Sequence, residues 1–175
     1  VTVADSWDTE PDPDVYYLKR PWIAGLDDPN GNDEPYKVAL WFAHEVKQLE
    51  RLARYPPHPN LVRYHGCRVR SGRITGALLG RVPGGGLYEY LLLGKKVDKD
   101  HFVTALASAV DHLHDVVGLV HNDIHPGNIL VSPDGEPTLI DLGAAYPEGE
   151  EMSIRTPYAA PPLFPPLILR LVYAG

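Results

Sequence analysis

The chain has a single cysteine, Cys67, among 175 residues. One thiol cannot close an internal disulfide, so small bridge-stapled secreted scaffolds are excluded and a reducing compartment is expected. Long apolar runs are also missing. None approaches the ~20 residues that cross a bilayer. The acidic opening VTVADSWDTEPDPD has neither the basic nor the apolar part of a signal peptide. Basic charge is scarce: 16 Lys and Arg stand against 23 Asp and Glu, a net of −7. Without a basic stripe, neither nucleic acid nor a membrane is an expected partner, and the chain reads as intracellular and cytoplasmic. The first residue is Val1 rather than Met, which points to a fragment, a processed product or an excised domain.

What is present is an ordinary globular composition, 44% hydrophobic and 22% charged, enough for one sizeable core or a domain of two lobes. Residues 1–14 are polar, acidic and Pro-containing, and read as a loose arm. The β-branched and aromatic run Val15–Lys19 predicts a strand that Pro21 ends, and residues 24–35 predict a turn-rich loop. Val38, Trp41, Glu45, Leu49 and Leu52 recur at helical steps, so Tyr36–Arg54 predicts a helix stopped by Pro56, Pro57 and Pro59. Leu61–Val69 and Arg73–Leu79 predict a hairpin turning at Ser71-Gly72. Pro83-Gly84-Gly85-Gly86 reads as a flexible hinge before a short helix at Leu87–Leu93. A second long helix is predicted from Asp100 to Val117, with Gly118 as its cap. Ile129–Val131 and Thr138–Ile140 flank the Ser132–Pro137 turn as a further hairpin.

The most informative stretch is 121–143, HNDIHPGNILVSPDGEPTLIDLG. It holds an H-x-D-x-x-x-x-N loop (His121, Asp123, Asn128), then an apolar hairpin, then Asp141-x-Gly143. Phosphoryl transfer from a magnesium nucleotide needs a carboxylate to orient the acceptor hydroxyl and oxygen ligands to hold the metal against the phosphates. These residues supply that set in order.

The loop and the Asp-x-Gly element resemble the protein-kinase signature. The likeness extends further. Glu45–Leu52 followed by His58-Pro59-Asn60-Leu61-Val62 is similar to the kinase helix-C region, and Ala77–Leu87 to the fifth strand and hinge. Arg155-Thr156-Pro157-Tyr158-Ala159-Ala160-Pro161-Pro162 resembles the end of an activation segment. The chain is therefore identified as a member of the protein kinase-like superfamily, similar to its divergent fungal domains. The implied fold class is α+β: a bilobal kinase-like fold with a small strand-rich N-lobe and a truncated, mainly helical C-lobe. The implied divisions are the arm 1–14, the N-lobe and hinge 15–82, a partial C-lobe 83–162 and a tail 163–175.

The resemblance implies transfer of the ATP γ-phosphate to a protein Ser or Thr hydroxyl, with ATP and Mg2+ as cofactors and a nucleotide and a protein substrate as partners. Asp123 is the implied base, Asn128 and Asp141 the metal ligands, and Lys19 the phosphate-holding lysine paired with Glu45. Leu79 falls at the gatekeeper and Gly80, Arg81 and Val82 at the adenine-bearing hinge. His125 stands where the family has a lysine, as a neutral donor toward a γ-phosphate oxygen. Departures accompany these matches. Asn122 replaces the loop arginine that grips a phosphorylated activation loop, Leu142 replaces the D-F-G phenylalanine, and Pro162 the A-P-E glutamate. No G-x-G-x-x-G precedes Lys19, and thirteen residues follow Pro162. An inactive pseudokinase kept as a binding module is one alternative. A small-molecule phosphotransferase of the aminoglycoside/choline kinase type is another, because HNDIHPGN is close to that family's H-G-D-L-H-P-G-N.

Overall fold

The structure, a computed structural model, describes residues 12–21 and 35–150, apart from the side chains of Pro35 and Tyr36. The sequence readings for the acidic arm before residue 12, the loop at 24–35, the activation-segment end and the 163–175 tail lie wholly or largely outside these residues. The chain divides into two compact units. One contains Val1–Pro56 and Arg63–Arg81, the other Pro57–Val62 and Val82–Gly175.

The first unit is rich in strands. β1 (Tyr16–Lys19), β2 (Tyr64–Arg70) and β3 (Arg73–Gly80) form an antiparallel sheet in the order β1-β3-β2. The β2–β3 hairpin turns at Ser71 and Gly72, both at positive φ, 50° and 71°. That is the two-residue geometry whose twist matches its flanking strands. The helix α1 (Pro35–Leu52) buries Val38, Phe42, Glu45, Val46, Leu49 and Leu52, a stripe at three- and four-residue steps. Trp41, read as part of that stripe, is only half-buried, and Phe42 takes its place. Arg51 in the last turn complements the negative end of the helix dipole.

The second unit is built on α2 (Leu87–Leu92), α3 (Lys99–Asp111) and two small sheets. One sheet is β4 (Gly85–Gly86), β6 (Ile129–Val131) and β7 (Pro137–Leu139); the other is β5 (Leu119–Val120) with β8 (Tyr146–Pro147). The Asp98 side chain caps α3 by accepting from the His101 N–H at 3.1 Å. Phe102, Leu106 and Ala109 continue inward through Leu113 and Val117 to Leu119, Ile129, Val131 and Leu139. The single helix expected up to Val117 changes character: His112–Val117 is a π-helical turn, closed at Gly118.

Two expectations are corrected here. The strand predicted from Leu61 begins at Tyr64, because residues 60–62 satisfy their backbone on β7 instead. Val62 N–H donates to Leu139 O at 3.0 Å and Leu139 N–H to Asn60 O at 2.8 Å. Leu61 thus bridges Leu139 in parallel. The Gly84–Gly86 run, expected to be a flexible break, is partly a strand, with Gly85 opposite Val131 and Gly86 opposite Leu130. Gly84 lies so close to β6 that a Cβ there would overlap the Val131 carbonyl oxygen. Glycine serves close approach at this position.

Candidate active site

In the strand-rich unit, β1 carries Lys19 opposite Ala77 of β3. Its Nζ donates to Glu45 Oε1 of α1 at 2.6 Å, with side-chain exposures of 24% and 7%. Glu45 sits on the buried stripe of α1, so its carboxylate has left water and needs a positive partner. Leu79 is buried and pairs with Tyr17. Gly80 N–H donates to Arg63 O at 2.7 Å, and Arg81 N–H to Val15 O at 2.9 Å. The Arg81 guanidinium bonds Pro13 O at 2.8 Å. The backbone donors of Gly80 and Arg81 are therefore engaged within the unit. Val82 opens the other unit.

Cys67 lies in the same sheet and is fully buried. The Tyr64 hydroxyl donates to Glu50 Oε1 at 2.8 Å and lies 3.0 Å from Cys67 Sγ. Burial first, then the Cys67 and Glu50 contacts, pushes the Tyr64 hydroxyl up. Burial likewise raises the thiol. A thiol that stays protonated in the core is a packing group, not a nucleophile.

In the helical unit, the loop after β5 is held by its own side chains. His121 is 1% exposed. Its Nε2 lies 3.0 Å from Ile140 O, a pure acceptor, so Nε2 carries the proton and donates. Nδ1 then accepts from the Asp123 N–H at 3.3 Å. Burial holds the imidazole below its ordinary value, against the opposing pull of Ile140 O, Asp141 and Asp123. A neutral His121 thereby joins the Asp123 backbone to the residue that precedes Asp141.

Asn128 ends the 3-10 turn Pro126–Asn128 and is 8% exposed. Its Nδ2 donates to Asp123 O at 2.9 Å and to Asp123 Oδ2 at 3.1 Å. With the amide nitrogen committed, Asn128 Oδ1 is the atom left to act as a ligand. Ile140 N–H donates to Asn128 O at 2.9 Å, which sets residue 141 beside the turn. Asp141 has φ 65°, and its Oδ1 accepts from Gly143 N–H at 3.0 Å. Asp123, His125, Asn128 and Asp141 are thus gathered by one loop and one hairpin.

An apolar cavity of about 140 Å³, lined in part by Leu87, Phe102, Leu106, Ile124 and Ile129, lies in the same unit. Its lining offers nothing to a polyphosphate. No three His, Cys, Asp or Glu side chains cluster to hold a metal among the described residues, and no helix among them is long and apolar enough to cross a membrane.

A sequence profile described as "Protein kinase domain" matches residues 33–170. The chain belongs to the protein kinase family. Mitogen-activated protein kinase kinase 3 of Arabidopsis thaliana is 35% identical over 103 residues, covering 56% of this chain and 20% of that protein. Serine/threonine-protein kinase CHK1 of Saccharomyces cerevisiae is 32% identical over 112 residues, 62% of this chain and 21% of that protein. Serine/threonine-protein kinase ppk25 of Schizosaccharomyces pombe is 35% identical over 115 residues, 63% and 27%. The chain thus spans between a fifth and about a quarter of the length of these relatives. In structure, the kinase domain is similar to monomeric WbdD, with a TM-score of 0.53 and 19% identity over 76% of this chain and 30% of that one. That likeness concerns the fold, which is the bilobal α+β fold expected.

Several residues of this kinase domain have roles the sequence reading did not assign. Asn60 is buried, and its Nδ2 donates to Pro137 O at 2.8 Å. His58 Nδ1 accepts from Asn60 N–H at 3.2 Å, so its Nε2–H faces Ser108 Oγ at 3.1 Å. The string His58-Pro59-Asn60 contained this information, but nothing local names its distant partners. Asn122, noted for replacing an arginine, has φ 62° and donates through Nδ2 to Val120 O and Ala144 O, both at 3.2 Å. Asparagine's tolerance of left-handed backbone was the available signal.

Proposed function

We propose that this kinase domain transfers the γ-phosphoryl group of ATP to a Ser or Thr hydroxyl of a protein. The acceptor oxygen bonds to the γ-phosphorus, the bond from that phosphorus to the β,γ-bridging oxygen breaks, ADP leaves, and the hydroxyl proton goes to Asp123. In-line transfer of this kind relies on positioning and electrostatics rather than covalent catalysis. Asp123 is suited to the task because its backbone is fixed by His121 and its carboxylate by Asn128.

The observation that carries the reading is the Asn128 amide. Its nitrogen is spent on Asp123, so one residue orients the base and keeps its Oδ1 available as a ligand. Asn128 Oδ1 and the Asp141 carboxylate make a hard-oxygen pair, which fits Mg2+, an ion usually held by one or two protein oxygens together with phosphate oxygens and water. Bound there, Mg2+ would neutralise charge on the phosphates. Lys19, held by Glu45, is the residue assigned to the α- and β-phosphates, and Leu79 to Val82 the segment assigned to adenine. The Gly80 and Arg81 N–H groups are engaged within their own unit, so they are not donors left for adenine.

Thermal denaturation with and without Mg·ATP is the first test; a rise in midpoint at millimolar nucleotide is expected. An unchanged midpoint would leave the pseudokinase as the better reading. Offered a generic protein and a panel of small alcohols and aminoglycosides, the chain should label the protein. Label on the small alcohols alone would transfer the proposal to the aminoglycoside/choline kinase type, whose motif His125-Pro126-Gly127-Asn128 shares.

A further inference from the structure

His125 has extended backbone, φ −152° and ψ 166°, and its ring turns back over the Pro126–Asn128 turn. Gly127 N–H donates to its Nδ1 at 3.1 Å. A nitrogen that accepts carries no proton, so the neutral ring bears its hydrogen on Nε2. That nitrogen lies 3.6 Å from Asp123 Oδ2. The separation exceeds a hydrogen bond, yet an N–H dipole at this range is felt by a carboxylate. The ring keeps this place because residue 127 has no side chain: a Cβ there would stand 2.7 Å from His125 Cε1 and 3.0 Å from Nδ1. Asp123 Oδ2 also accepts from Asn128 Nδ2 at 3.1 Å. Among the described residues, no donor bonds Asp123 Oδ1.

We infer that Gly127 and His125 form a latch that acts together with Asn128 Nδ2 to fix the rotation of the Asp123 carboxylate. The Gly127 amide selects the ring tautomer, the ring presents Nε2–H to Oδ2, and Oδ1 is reserved for the incoming hydroxyl. His125 is then a positioning residue for the base, not a stand-in for the phosphate-binding lysine. Gly127 is a positioning residue one step further away. This inference rests on the phosphotransfer reading for its catalytic consequence but not for its geometry, and the two can fail separately.

The test has two arms, both on the full chain. In the first, the ring nitrogens are labelled with 15N and read at about pH 8, where imidazole is neutral; the His125 signals are those lost in His125→Asn. The expected spectrum shows Nε2 protonated and Nδ1 bare, with mixed tautomers in Gly127→Ala. A ring protonated on Nδ1 would overturn the latch whether or not the chain has activity. The second arm is kinetic. His125→Asn keeps an acceptor for the Gly127 amide but has no Nε2–H. It should lower kcat about tenfold, a loss of roughly 1.4 kcal/mol in the barrier, with KM for ATP unchanged. A raised KM with unchanged kcat would instead make His125 a phosphate ligand. If the unsubstituted chain transfers no phosphate at all, the functional proposal fails, and the nitrogen spectra still decide the latch.

Discussion

Lys19 and Asp123 are both polar groups set among apolar elements, and they are held in opposite ways. Lys19 is placed by charge, its ammonium meeting Glu45 at 2.6 Å from a residue 26 positions away in sequence. Asp123 is placed by short-range geometry: His121 and Asn128, two and five residues away, fix its N–H, its C=O and one carboxylate oxygen. A charge pair between separate elements depends on residues that the chain must bring together from a distance. A loop whose side chains bond its own backbone depends less on distant elements, although His121 and Asn122 also tie it to Ile140 O and Ala144 O. The contrast explains why the His121, Asp123 and Asn128 motif is compact in sequence while the lysine and its partner are spread out.

The largest way to probe the difference is Lys19→Met. It removes the ammonium from a carboxylate that remains buried, and should lower the unfolding free energy by roughly 3 kcal/mol, read from urea denaturation. A loss under about 0.5 kcal/mol, the size of an ordinary surface change, would show that the pair is not what holds Glu45. Within the loop, His121→Ala takes the partners from Asp123 N–H and Ile140 O at a buried position and should cost about 2 kcal/mol. Turnover should fall with it, because the base loses its backbone anchor; full activity in a stable His121→Ala chain would contradict the network. Asn122→Ala is smaller. It deletes the bonds to Val120 O and Ala144 O from a residue at positive φ, for about 1 kcal/mol in total.

The gentlest perturbation is acid. His121 is held below 6.5 by burial, and His58 by burial and by His112 beside it. Both take up protons less readily in the folded chain than in the unfolded chain. Stability is therefore complete above pH 6.5 and falls as the pH drops below that value toward the folded-state values. Denaturation midpoints on either side of it check the sign; a chain that gained stability on acidification there would contradict the lowered imidazoles.

Much of this was legible in the amino acids. The β6–β7 hairpin follows from two apolar runs around Ser132–Pro137, α1 from its three- and four-residue stripe, and the catalytic loop from the spacing of His121, Asp123 and Asn128. Three features were not, each for a physical reason. Leu61 has the composition of a strand residue, but the backbone of 60–62 is claimed by β7, and that competition is decided by tertiary contacts. Gly84–Gly86 has the composition of a hinge, yet absence of side chains serves tight packing as well as freedom. The orientation of His125 depends on an amide two residues later with no side chain of its own. Motif spacing shows which residues gather; it does not show which nitrogen or oxygen faces which.

The central claim is that Asp123 accepts a proton while phosphate moves from nucleotide to acceptor. It is tested most directly by following phosphate transfer from Mg·ATP to protein in the unsubstituted chain and in Asp123→Asn, side by side, with the denaturation midpoint of each. The account predicts measurable transfer in the first, a loss of at least about 100-fold in the second, the lower end for removing a general base, and equal midpoints. Equal transfer by the two chains would contradict it.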